Sequence, residues 1–230
     1  MRPAALALAV LWGLAWAQAP VVATTPILAS LAQEVAGGRL RVASVVPPGA
    51  DPHAFDLRPS TALEVSRARL LLANGLGLEP YLPKLRALLP PGARVVELAP
   101  GMPDLICGLL GLREKGVHLH GDCDPHLWLD PTYGVRYAGR MAEELSRLFP
   151  EYREDFQRNL DRFREKALAE DEALRACLAG RRPRAVVAHL SLSYLARRYG
   201  LEVVGVLRDT LGQDLGVRGR IALLKEAELG

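Results

Sequence analysis

Short β-rich runs alternate with apolar-periodic stretches through the first hundred residues, and that alternation leaves few folds open. Val21–Thr24, Leu40–Val46, Leu70–Ala73 and Val95–Leu98 read as strands. Between them Pro26–Ala36, Pro59–Ala68 and Leu78–Leu88 carry helical periodicity, with Gly37-Gly38 as a stop and Pro59 in a first turn, where its missing N–H costs nothing. Strands separated by helices are set parallel, with the helices laid over both sheet faces. An α/β fold with parallel sheets covered by helices is therefore expected. In such a sheet ligands gather at the carboxyl ends of the strands.

Beyond Leu98 the pattern changes. Residues 100–124 are rich in Gly, Asp and His without sustained periodicity, which predicts a long exposed loop. Thr132–Leu148 and Glu151–Leu178 read as helices, the second carrying Phe156, Leu160, Phe163, Ala167 and Leu174 near one stripe amid dense charge. Ala185–Ala188 and Val203–Val206 are strands flanking a helix at Ser191–Tyr199, and Ile221–Leu229 is a last short helix. The predicted organisation is two lobes joined by a long helix. A signal peptide occupies 1–17, an N-terminal α/β lobe 18–148, the linking helix 149–182 and a partial C-terminal α/β lobe 183–230. Two strands and two short helices make an incomplete second lobe, with Leu190, Leu195, Val203 and Val206 short of cover.

The first residues define the compartment. Met1-Arg2-Pro3, an apolar stretch to Trp16 and Ala15-Trp16-Ala17 before Gln18 have the pattern of a secretory signal with an A-x-A cleavage site. Export to a periplasmic or extracytoplasmic space follows, and no lipid-anchor cysteine stands at the cleavage point. A net charge of +3 without a clustered basic run argues against nucleic acid as a partner. In an oxidising compartment Cys107 and Cys123 close the loop between them and leave Cys177 as a buried thiol on a helix; three free thiols are the alternative.

Chemistry concentrates in histidine. Asp51-Pro52-His53 and Asp124-Pro125-His126 repeat one tripeptide, and His189 closes a predicted strand. Each proline fixes its own φ and pushes the preceding Asp into extended geometry, which aims the next side chain reproducibly. Imidazole is the commonest protein metal ligand, and its second nitrogen is usually held by a carboxylate or carbonyl. His53, His126 and His189 are candidate metal ligands, with Asp51 and Asp124 as candidates to hold their rings. His118 and His120, beside Asp122, are candidate auxiliary metal collectors. Asn74–Glu79 lacks the glycine and lysine signatures of nucleotide loops and reads as a turn in which Glu79 caps or pairs nearby. Tyr194 and Tyr199 read as core.

Four segments together resemble a family, the metal-specific solute-binding proteins of zinc and manganese ABC importers. They are Asp-Pro-His-Ala-Phe-Asp-Leu-Arg-Pro-Ser at 51–60, Asn-Gly-Leu-Gly-Leu-Glu at 74–79, Asp-Pro-His-Leu-Trp-Leu-Asp-Pro at 124–131 and His-Leu-Ser-Leu-Ser-Tyr-Leu-Ala-Arg-Arg-Tyr-Gly-Leu at 189–201. The resemblance implies two lobes joined by a long helix, ligands at His53, His126 and His189, and a membrane permease as partner. It implies no enzymatic activity. It also implies a fourth, acidic ligand near the family's C-terminus, which this sequence does not reach, leaving Asp209 or Asp214 as substitutes. Histidine at 189 favours Zn(II) over Mn(II) as the transported ion, because manganese prefers more oxygen ligands. A secreted zinc-dependent hydrolase using the same histidines is the competing class, but no His-Glu-x-x-His helix is present.

Overall fold

The structure, a computed structural model, describes residues 20–108 and 122–207, with single residues at 216, 219 and 225. The expected signal peptide, His118, His120, Asp209, Asp214 and most of the expected helix at 221–229 lie outside the described residues. The chain divides into two compact units that interleave along the sequence. Residues up to 74, 79–98 and 138–161 form the first, and 75–78, 99–137 and those from 162 onward form the second. Residues 99–137, which the sequence pattern groups with the N-terminal lobe, thus pack with the second unit.

The first unit is built on four parallel strands, β1 (Val21–Ala23), β2 (Val42–Ser44), β3 (Leu70–Ala73) and β4 (Arg94–Glu97), in the order β2-β1-β3-β4. Val21 pairs with Val42 on one side and Leu70 on the other, and Leu70 pairs with Arg94. Every residue of β1 and β3 is buried, as their uninterrupted apolar sequences require of central parallel strands. Helices α1 (Pro26–Ala36), α2 (Pro59–Val65) and α3 (Leu82–Leu88) make the crossovers. One core layer sets Val22, Val45, Val46 and Leu71 with Val65, Leu82 and Leu85.

Side chains fix the ends of these elements. The Thr25 hydroxyl accepts from the Leu28 N–H and caps α1, which opens on Pro26. At the other end Gly37 takes φ 58°, and a Cβ there would lie 2.7 Å from Asn159 Nδ2. The Gln33 amide then donates to the carbonyls of Gly37 and Leu40 and accepts from the Val42 N–H, stitching α1 to β2. The helix expected to start at Leu78 starts at Leu82. Gly75, Leu76 and Gly77 all have positive φ, and Pro80 disfavours helical geometry at Glu79. Glu79 instead lies buried, its Oε1 accepting from the Asn74 N–H at 2.7 Å and the Thr24 hydroxyl at 2.6 Å.

Helices α4 (Pro131–Leu148) and α5 (Arg153–Leu178) each contribute residues to both units. Within the second unit β5 (Arg184–Val187) and β6 (Glu202–Val206) pair in parallel with a bulge between Ala185 and Val186, and α6 (Ser193–Tyr199) connects them. Gly200 ends α6 in the left-handed conformation. Leu190, Leu195, Val203 and Val206, expected to lack cover, are half-buried. The expected apolar stripe of α5 does not run to its end, for Leu174 is exposed, and Cys177 is an exposed rather than a buried thiol. The buried position in that stretch is Asp171, and Cys177, six residues on, points about 120° away from it.

Asp171 holds α5 and α6 together. Its Oδ1 accepts from Arg198 Nε at 2.6 Å and from the Tyr199 hydroxyl at 2.8 Å, its Oδ2 accepts from Arg198 Nη2, and Arg175 lies 3.4 Å away. The hydrogen-bonded Arg198 guanidinium outweighs the burial penalty and, with Tyr199, brings the Asp171 carboxyl down to about 2. Burial pushes the Tyr199 hydroxyl up to about 12. A depressed carboxyl stabilises the fold above its unfolded value, near 3.9, and loses that contribution as pH falls through the native one. Asp171→Asn is therefore expected to destabilise the protein at pH 7, with the gap to wild type closing between about pH 4 and pH 2. Denaturant titrations across that range check it, and a gap independent of pH would contradict the assignment.

Candidate metal centre

His126 is set by its immediate sequence. Pro125 follows a buried Asp124, whose Oδ1 accepts from the His126 backbone N–H at 2.9 Å and lies 2.7 Å from the ring Nδ1. A carboxylate can only accept, so Nδ1 donates its N–H to it and Nε2 faces outward from this contact. Trp128 meets the ring edge-on with centroids 5.3 Å apart. Beyond His126 the chain makes one 3-10 turn, Leu127–Leu129, and Asp130 then starts α4 by accepting from the Thr132 N–H at 2.8 Å and hydroxyl at 2.6 Å.

His189 leaves the end of β5 in the same unit and brings its Nε2 to 3.3 Å from that of His126. The two rings meet at 60° with centroids 5.2 Å apart. At that distance one ring N–H can donate to the other nitrogen, and the same spacing also suits a shared cation. Two nitrogens each about 2.0–2.1 Å from one tetrahedral zinc are separated by about 3.3–3.4 Å, the edge of the tetrahedron. The pair is thus already at the separation that a shared tetrahedral cation demands.

The remaining candidates are placed as follows. His53 lies in a turn of the first unit, half-buried, and its backbone N–H donates to Asp51 Oδ1 at 2.9 Å, the same local bond that Asp124 makes. Cys107 and Cys123 form a disulfide, and Asp124 donates its N–H to the Ile106 carbonyl at 2.9 Å beside it. Sequence reasoning did not single out the polar roles of Tyr194, Arg198, Asp130 and Asp171. Tyr194 is fully buried, its hydroxyl donating to the Asp124 carbonyl at 3.0 Å and accepting from the Ile106 N–H at 3.1 Å; burial raises it to about 12. An arginine and a tyrosine adjacent at 198 and 199, on a helix that must bury one face, were the available signal.

The sequence and the fold match known proteins. Residues 21–219 fit the family described as zinc-uptake complex component A, periplasmic, and the chain belongs to that family. A ZnuA crystal structure superposes with TM-score 0.77 at 26% identity, covering 91% of this chain and 78% of that one. A ZnuA deletion mutant with zinc bound gives TM-score 0.75 at 27% identity over 91% of this chain and 77% of that one. The metal ABC transporter substrate-binding lipoprotein ScbA of Streptococcus cristatus is 34% identical over 66% of this chain and 49% of its own length. The chain spans 36% to 59% of the length of the first curated relatives it matches.

Replacing Asp124 with Asn removes the carboxylate that fixes the His126 ring. The variant is expected to mix the two ring tautomers in nitrogen-15 NMR spectra and to bind a divalent cation about 10-fold or more weakly in chelator competition. A ring still protonated only on Nδ1 would show that another group sets it.

Proposed function

We propose that this chain captures Zn(II) outside the cytoplasm and delivers it to the membrane permease of a metal ABC importer. The observation that carries the reading is the 3.3 Å separation of the His126 and His189 Nε2 atoms, the edge length of a zinc tetrahedron. Family membership supports uptake as the context and argues against the secreted hydrolase. Zinc is preferred over manganese because the ligand set is imidazole rather than carboxylate. His53 is proposed as the third ligand on the strength of its Asp-Pro-His context, which repeats that of His126. In this reading the two lobes are the two compact units, with residues 99–137 belonging to the second rather than to an N-terminal lobe of 18–148. Asp51 supports the His53 turn, and His118 and His120 collect metal without defining the main site.

Titration of metal-depleted protein with Zn(II) is expected to show one tight site per chain, lost when His53, His126 and His189 are all replaced by Ala. Affinity should fall below about pH 6, because protons compete with the cation for imidazole nitrogen. Undiminished stoichiometric binding in the triple variant would refute the assignment. Removing residues 116–121 should leave the tight constant nearly unchanged and abolish any weaker second event; loss of tight binding would instead make that segment part of the site.

A further inference from the structure

We propose that α6 is a brace that sets the spacing of His126 and His189, with Tyr194 and Arg198 as its two positioning residues. The inference rests on the metal-binding reading of those histidines and names what holds them. Helix α6 starts four residues after His189, so its placement governs where that ring stands. It grips the His126 segment at two points, one before the histidine and one after it.

The first grip is Tyr194. Its hydroxyl donates to the carbonyl of Asp124, whose carboxylate carries the His126 ring, and accepts from the N–H of Ile106. The N–H of Asp124 in turn donates to the carbonyl of Ile106, closing a small ring of hydrogen bonds through one buried hydroxyl. The second grip is Arg198, one helical turn further on the same face. Its Nε lies 3.3 Å from Asp130 Oδ1, at the end of the turn that follows His126, while the guanidinium also forks onto Asp171 of α5. Both charges of the Asp130 contact are largely buried, so water does not loosen it. His126 is thus clamped at 124 and 130 from a helix whose own start positions His189.

A clamp of this kind affects which cation fits. At 3.3 Å the pair suits the short bonds of tetrahedral zinc, whereas an ion of higher coordination number and more oxygen ligands gains less from that fixed edge. Loosening the brace should cost zinc more than manganese. A residue that merely stabilised the fold would weaken both alike.

The test compares the full chain with Tyr194→Phe, which removes one oxygen and keeps the packing, and with Arg198→Gln and Arg198→Lys. Zinc and manganese constants are read by chelator competition, the Co(II) d–d spectrum reports ligand geometry, and the nuclear Overhauser contact between the two rings reports their spacing without metal. Tyr194→Phe and Arg198→Gln are expected to weaken zinc about 10-fold, manganese less, with an altered Co(II) band and a weaker ring contact. Arg198→Lys should recover only part of the loss, since an ammonium cannot fork between two carboxylates. Zinc affinity, Co(II) spectrum and ring contact all unchanged, even with a lowered melting temperature, would overturn the brace. Failure of the wild type to bind zinc would overturn the metal reading alone, and the metal-free ring contact would still decide for or against the brace.

Discussion

Two imidazole nitrogens held 3.3 Å apart, one of them on a buried ring, are the constraint around which the second unit is organised. Without a cation, one Nε2–H can donate to the other Nε2 across that distance. The His126 ring is also anchored from behind. Asp124 accepts a hydrogen bond from Nδ1 of His126, the Asp124 backbone is tied to Ile106 and Tyr194, and α6 is fastened to α5 through Asp171. Preorganisation of this kind moves the cost of assembling the pair into folding, so that binding a cation does not have to supply it.

The first unit solves a different problem. Its central strands β1 and β3 end side by side where the strand order reverses, and backbone and hydroxyl donors at Thr24 and Asn74 are buried there. Donors in that position are costly unless met, and one carboxylate, Glu79, meets both. To bring Glu79 back onto the sheet the chain must turn through Gly75, Leu76 and Gly77 at positive φ. The backbone strain at Leu76 is offset by a charge-assisted pair of hydrogen bonds at the switch point, the place where an open parallel sheet is usually occupied.

Most of the architecture was legible because period and punctuation agree. β3 reads as a continuous apolar run, and α1 lies between Pro26 and Gly37, so both are found at their expected positions. The delayed start of α3 was not, since nothing in the periodicity of 78–88 announces that Gly75–Gly77 adopt left-handed geometry. His53 and His126 were singled out by their repeated Asp-Pro-His context, and His189 by its place after a predicted strand. Their supports were less legible. Asp124 follows from local sequence, two residues from the ring it holds, whereas Asp171, Arg198 and Tyr194 are separated from His126 by 45 to 72 residues and meet it only through packing. Periodicity assigns Tyr194 to the core correctly but is silent about where its hydroxyl points. It assigns residue 174 to the buried stripe wrongly, because an ion pair at 171 takes the buried place.

That choice of an ion pair over an apolar contact has a physical logic. A Leu at 171 would pack against α6 and avoid the desolvation of two charges, so the pair is a poor device for stability alone. Apolar contact, however, tolerates rotation of a short helix about its own axis and sliding along its neighbour. Helix α6 has only seven residues, too few for packing to fix both motions. The Arg198 guanidinium is planar, and it meets Asp171 through two nitrogens while its Nε also faces Asp130, which fixes the plane, and with it the rotation of the last turn. The Tyr194 hydroxyl fixes the first turn in the same way. A helix pinned at both turns by directional bonds can place His189 to within the few tenths of an ångström that a metal–nitrogen bond requires, and apolar packing by itself would not.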